Sequence, residues 1–300
     1  MPPTGPRPMH DALYNYSCEF DALGLLDSFH VRGQVPEPGI IRNFLGTRIE
    51  PAVYPPVLEA LAGSIEGLPV PGNWHADIAE WAAALRTVVL AEDRYRIVEL
   101  GCGWGCWITN MGVAARARGL KVDLVGVEGD ARHLVNAART LELNGFAPGD
   151  FALHHGVAGP KPGKAIFPDA GSGQAHWGAE PVFYPDAATL ALAEGRDDVQ
   201  VLDCLTLADL AGGAAIDLLH IDIQGAEYDF VAGNAEGIAA HAKRVLIGTH
   251  SRVIEGQLMA HFLGLGWRME MERPAIAPIL GGRPQIRIDG VQMWANPEFG

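Results

Sequence analysis

The sequence predicts an α/β protein, a doubly wound and mostly parallel sheet preceded by an irregular cap region over residues 1–90. Three observations predict it. From Arg96 onward, short apolar runs alternate with helix-length segments, the rhythm of strands joined by crossover helices. The first of these runs leads into Gly101-Cys102-Gly103-Trp104-Gly105, a glycine-rich turn that opens a helix. A longer apolar run, Ile216 to Ile223, suits a central strand buried on both faces.

The elements follow in order. The first nine residues are rich in proline and read as a frayed tail. From Asp11 to Gly72, prolines 36, 38, 51, 55, 56, 69 and 71 interrupt any long element, so short helices and turns are expected. Over His75 to Ala91, Ile78, Trp81, Leu85, Val88 and Val89 recur at helical spacing, with Asn73 as the expected N-cap. Strands are then expected at Arg96–Leu100, Val122–Val127 and Phe151–Val157, with helices at Trp107–Arg118 and Ala131–Asn144 between them; Gly145 closes the second helix. The buried strand at Ile216–Ile223 precedes a short helix near Glu227–Val231, a strand at Arg244–Thr249 and a helix at Gln257–Leu265. Trp267–Glu272 and Val291–Trp294 can pair antiparallel at the end of this 91–300 domain. The segment 159–200 lacks clear periodicity and is rich in Gly, Pro and aromatics (Phe167, Trp177, Phe183, Tyr184). A loop that long inside a compact domain suits a substrate lid.

Composition narrows the function. The net charge of −14, from 22 basic and 36 acidic residues, and the lack of any basic run longer than a pair argue against a nucleic-acid partner. No apolar stretch is long enough to span a bilayer, and the N-terminus lacks the apolar segment of a signal peptide, so a cytoplasmic location is expected. Cys18, Cys102, Cys106 and Cys204 form neither a disulfide framework nor a zinc pattern.

The turn after the first strand indicates a nucleotide-type ligand. Glycines let backbone approach a ligand closely, and the helix start offers free N–H groups. A dinucleotide turn places its third small residue at the sixth position. Here Gly101, Gly103 and Gly105 give G-x-G-x-G, and Cys106 holds the sixth. That spacing favours S-adenosylmethionine over NAD, and Glu99 suits the ammonium of its amino-acid end. At the end of the second strand, Glu128-Gly129 places a carboxylate where ribose hydroxyls bind in either nucleotide family.

Ligands of open α/β sheets sit at the carboxyl ends of the strands. The buried strand ends there at Asp222, and the next at Thr249-His250-Ser251. If the two are neighbours, Asp222 and His250 lie roughly 5 Å apart. Two mechanisms suit the pair. His250 acts as a general base oriented by Asp222, or Asp222 and His250, with Glu227, ligate a divalent metal ion. His220 lies inside the strand and is expected to pack in the core; His154 and His155 lie near the expected adenine side; Glu227 also suits the dipole of the helix it opens.

Together these residues resemble the FkbM family of methyltransferases over about Ile97 to His250. The likeness rests on the stretches Val98 to Gly105, Val127 to Asp130, Thr206 to Leu210 and Leu218 to Glu227. The last is the most specific, because the family usually reads Lys-Ile-Asp-Val/Ile-Glu-Gly-Ala/x-Glu there. Asp222, Gly225 and Glu227 match; His220 replaces the usual Lys and Gln224 the usual Glu. The resemblance implies a class I Rossmann-like methyltransferase fold and O-methylation of a sugar, glycan or natural-product hydroxyl. The cap falls outside it, and shaping an acceptor pocket or forming a homo-oligomer contact fits that region equally well. A nicotinamide-dependent oxidoreductase is the competing enzyme class, disfavoured by Cys106 and by the lack of a Tyr-x-x-x-Lys pair. A non-catalytic S-adenosylmethionine-binding module is the third reading.

Overall fold

Strand and helix alternate from Arg94 onward, as the hydrophobic rhythm requires. The structure is a computed structural model that describes residues 16–169 and 178–299. Eight strands form the main sheet: β1 (Ser17–Cys18), β2 (Arg94–Leu100), β3 (Lys121–Glu128), β4 (Phe151–His155), β5 (Leu218–Ile221), β6 (Arg244–Thr249), β7 (Arg268–Arg273) and β8 (Gly290–Ala295). Their order across the sheet is β4-β3-β2-β5-β6-β8-β7-β1. Strands β4, β3, β2, β5 and β6 run parallel, and β8 inserts antiparallel between β6 and β7. The chain walks outward from β2 to β4, then returns to start β5 on the other side of β2. That reversal opens a crevice at the carboxyl ends of β2 and β5. This is a Rossmann-like doubly wound sheet, with the expected antiparallel pair at its end.

The sheet is covered on both faces because its strands are apolar on both. Tyr95, Ile97, Leu124, Leu218 and Leu246 face the layer of α1 (Ala22–Ser28), α2 (Ile78–Leu90) and α3 (Cys106–Ala117). Val98, Leu100, Val125, Leu219 and Ile247 face the opposite layer, which includes α5 (Glu227–Gly233) and α6 (Arg252–Gly264); α4 (Ala131–Leu143) packs beside β3 and β4. The period of two places Glu99 and His220 on the α2/α3 face. Helix α2 belongs to this core: Trp81, 1% exposed, meets Phe44 edge-on at 5.2 Å and Trp107 at 4.8 Å.

Several expected boundaries move. Asn73 does not cap α2; its Oδ1 accepts from the His75 and Ala76 amides, and Asp77 caps the helix through Ala79 and Glu80. An Asx turn at Asn73 thus precedes the real cap by four residues. Helix α6 begins at Arg252, capped by Ser251, several residues before the expected Gln257. Strand β4 stops at His155, because Gly156 turns its amide to the Glu128 carbonyl, and Val157–Ala158 joins another sheet. That second sheet occupies the segment expected to lack periodicity: Val157–Ala158, Val199–Leu205, Gly163–Pro168 and Val182–Phe183 pair in this order, and Ala187–Ala193 is helical. Its short, half-exposed strands carry little apolar rhythm. The expected frayed tail and Trp177 lie outside the described residues. Among the described residues, no helix is long and apolar enough to cross a membrane.

The Trp81 contact predicts the energetic tie between α2 and the sheet. Trp81→Ala is expected to cost about 3–5 kcal/mol, read as a lower urea midpoint with unchanged slope.

Candidate active site

The site begins where β2 leaves the sheet. Gly101 has φ 75°. A Cβ there would lie 1.9 Å from the Asp222 carbonyl oxygen, so the turn and the end of β5 meet only because this residue is glycine. The Asp222 amide donates to the Leu100 carbonyl at 3.0 Å and ties the two strand ends together. Gly105, φ 78°, presses on Ala137 and starts α3. Gly103 (φ 51°) donates its amide to Glu128 Oε2 at 2.8 Å, and the Asp130 amide donates to Glu128 Oε1 at 2.8 Å. Two backbone donors thus fix the acid at the end of β3. Gly129 leaves room for Phe167, whose ring would stand 2.6 Å from an added Cβ.

Glu99, expected to meet an ammonium group directly or through water, is already engaged by the backbone. Its carboxyl accepts from the Trp107 and Ile108 amides at 3.3 and 2.9 Å, caring for the open N-terminus of α3. Burial drives its pKa well above the ordinary carboxyl range, although those two donors oppose the rise. It still forms part of the cavity wall.

A cavity of about 530 Å³ spans the strand ends, a size ordinary for small-ligand sites. Its β3/β4 end is lined by Glu128, Gly129, Val157 and Phe167, and its β5 end by His220, Asp222, Gln224 and Asp289. Tyr54, Trp74 and His75 of the N-terminal region form a wall, joined by Trp104 and Trp107 of the glycine turn and α3. These rings stack in series: Tyr54 on Trp74 at 6.4 Å and Trp74 on Trp104 at 5.7 Å. From the 159–200 segment, Gly178, Ala179, Pro181 and Phe183 close the cavity, whereas Tyr184 points its hydroxyl to the Lys161 carbonyl and packs on its own sheet. His155 meets the Gly129 carbonyl at 3.0 Å and does not line the cavity.

Asp222 and His250 come together as neighbouring strands dictate, with Nε2 3.4 Å from Asp222 Oδ1. The orienting group differs from the expectation. Glu227, fully buried, binds His250 Nδ1 at 2.8 Å and accepts the Gly225 amide; Asp222 lies on the other edge of the ring. Asp289, from the segment before β8, stands 3.9 Å from the same Nε2. Burial opposes charge on His250, but the hydrogen bond it donates to Glu227 and the fields of Asp222, Glu227 and Asp289 lift its pKa to about 9. At neutral pH the ring is an imidazolium and both nitrogens donate. Burial raises the Asp222 carboxyl to about 6, with His250 pulling it down and Glu80 and Glu227 pushing it up. Its side chain stays 40% accessible, against 15% for His250. Asp222 therefore faces the cavity, and His250 stands behind it as a fixed cation.

This arrangement also answers the metal expectation. Asp222, Glu227 and His250 are spent on one another in a carboxylate–imidazolium–carboxylate line, and no group of His, Cys, Asp or Glu among the described residues is arranged to hold a metal ion. Gln224, at φ 55°, directs Nε2 to Asp222 Oδ1 at 3.4 Å. Sequence reasoning missed Asp289 and the aromatic wall, which reach the site from distant segments without any local pattern.

A sequence profile described as the Methyltransferase FkbM domain matches residues 95–273, from β2 to the end of β7. The chain belongs to the FkbM methyltransferase family. A protein of Jannaschia sp. (strain CCS1), named as a methyltransferase, is 52% identical over 269 residues, covering 90% of this chain and 96% of its own length. Among solved structures, the FkbM methyltransferase of Methylobacillus flagellatus KT is similar, with TM-score 0.46 and 13% identity over 72% of this chain and 54% of that one. A C-terminal domain of precorrin-6Y C5,15-methyltransferase from Rhodobacter capsulatus has TM-score 0.40 and 14% identity, over 75% and 91% of the two chains. The family match of this methyltransferase covers the main sheet from β2 to β7, and residues 1–94 lie ahead of the matched span.

If Glu227 is what charges His250, Glu227→Gln lowers the imidazole pKa from about 9 towards its ordinary value. An NMR titration of the His250 ring checks this; an unmoved pKa contradicts the assignment.

Proposed function

We propose that this methyltransferase transfers a methyl group from S-adenosylmethionine to a hydroxyl of a neutral sugar, glycan or natural-product acceptor, with Asp222 receiving the hydroxyl proton. The observation that carries the reading is Asp222 itself, a carboxylate facing the cavity with an imidazolium fixed behind it.

The donor set fits S-adenosylmethionine. Glu128, held by two backbone amides, suits the ribose hydroxyls, and Val127, Val157 and Phe167 supply apolar walls for an adenine ring. When bound, S-adenosylmethionine supplies a methyl group on a cationic sulfur. The chain's own residues do the rest. Asp222 takes the proton within hydrogen-bond reach, His250 keeps it ionised above about 6, and Glu227 holds the ring in place. Gln224 Nε2 donates to Asp222 Oδ1, the same oxygen that faces His250. Tyr54 and Trp74 wall the cavity from the N-terminal region and Phe183 closes it from the 159–200 segment, in keeping with a cap and a lid that exclude water, and flat aromatic faces suit the C–H face of a sugar ring.

Charge favours a neutral acceptor. Glu99, Glu128, Asp222 and Asp289 line the cavity, and no Lys or Arg does among the described residues. A phosphorylated acceptor would find no cation to neutralise it.

Calorimetry with S-adenosylmethionine and with NAD tests the donor; binding of NAD alone would overturn it. Asp222→Asn is expected to lower the transfer rate roughly 10²–10⁴-fold with donor affinity kept, measured by release of S-adenosylhomocysteine. An unchanged rate contradicts the role of Asp222. The free-enzyme pH profile follows from the same two groups. Transfer rises as Asp222 ionises through about 6 and falls as His250 loses its proton near 9. In Asp222→Asn the acidic limb is expected to vanish.

A further inference from the structure

A donor with a free carboxylate needs a partner for that charge, and the cavity offers no Lys or Arg among the described residues that line it. The β5 end does hold an imidazole whose outer edge is unsatisfied. His220 lines the cavity, is 1% exposed, and its Nδ1 is buried with no hydrogen-bond partner. An unmade hydrogen bond at a buried polar atom is costly, and here that atom belongs to a residue of the cavity wall, where a ligand can complete it. The other edge is fixed: Nε2 lies 3.2 Å from Glu80 Oε1, on the first turn of α2, and Trp107 packs on the ring at 5.3 Å.

The position of His220 along the cavity matters as much as its chemistry. In the sheet register it pairs with Glu99 on β2, and it lies two residues before Asp222 on the same face of β5. Glu128, the ribose acid, stands across β2 at the end of β3. A nucleoside seated on Glu128 therefore extends its other end towards His220 and Asp222.

We infer that His220 Nδ1 donates a hydrogen bond to the carboxylate at the amino-acid end of the bound methyl donor, with Glu80 as the positioning residue that fixes the ring. The protonation states agree with this direction. Burial and the neighbouring Asp77 hold the Glu80 carboxyl at about 8, so at neutral pH it is protonated and donates to Nε2. Burial lowers His220 to about 4, so the ring is neutral and carries its one proton on Nδ1.

The inference rests on the S-adenosylmethionine reading, and its test separates the two. Calorimetry compares S-adenosylhomocysteine, which has the amino-acid end, with 5′-methylthioadenosine, which lacks it. In His220→Phe, which keeps a ring against Trp107, affinity for S-adenosylhomocysteine is expected to fall roughly 10–100-fold, and affinity for 5′-methylthioadenosine to stay within about twofold. His220→Gln, which restores a donor, is expected to recover part of the loss. Unchanged S-adenosylhomocysteine binding in His220→Phe, or equal losses for both nucleosides, overturns the inference while the donor reading stands. A wild-type protein that binds neither nucleoside overturns the donor reading and this inference with it.

Discussion

At the switch in strand order, the glycine turn after β2 and the end of β5 touch so closely that a single Cβ at Gly101 would collide with the Asp222 backbone. Every feature of the site follows from that contact. It places the end of the cofactor turn against the residue proposed to take the acceptor proton, with the Asp222 amide bonded to Leu100. In the proposed reading, a donor lying along the turn has its reactive end beside Asp222. The parallel order of β3, β2 and β5 sets the spacing, and Gly101 lacks the side chain that would hold the two ends apart.

Electrostatics then decides what Asp222 can do. An acid in a lined cavity tends to be neutral, and its raised pKa shows that tendency. The imidazolium behind it opposes the rise, and that cation exists because Glu227, with no exposure to solvent, faces its other edge. The line Glu227, His250, Asp222 thus spreads two negative charges around one positive one in a low-dielectric setting. The same cavity carries no Lys or Arg among its described lining, in keeping with the neutral acceptor proposed above and with the hydrogen bond inferred for His220. The N-terminal region completes the enclosure: Tyr54 and Trp74 wall the cavity, and α2, packed in the sheet's own core, carries Glu80 to His220.

The sequence showed the parts whose signal is local. Alternating apolar rhythm predicts β2, β3, β5 and β6, and the glycine spacing predicts the turn at Gly101 to Gly105. The meeting of Asp222 and His250 follows from the ends of two adjacent parallel strands. What stayed hidden arises from long-range packing. Glu80 and His220 are far apart in sequence, Asp289 arrives from a hairpin segment between β7 and β8, and Tyr54 and Trp74 come from a proline-broken stretch with no period. Glu99 reads as a ligand residue by its place beside the turn, yet the free amides of α3 claim it first. Asn73 and Asp77 are both good caps by type, and only the folded chain shows that Asp77 is the one used.

The central claim is geometric: one cavity holds the methyl donor across β2 with its reactive end at Asp222. A crystal structure with S-adenosylhomocysteine bound tests it most directly. The account predicts the ribose on Glu128 and the sulfur facing Asp222. A ribose seated away from Glu128, or a sulfur turned from Asp222, would contradict it.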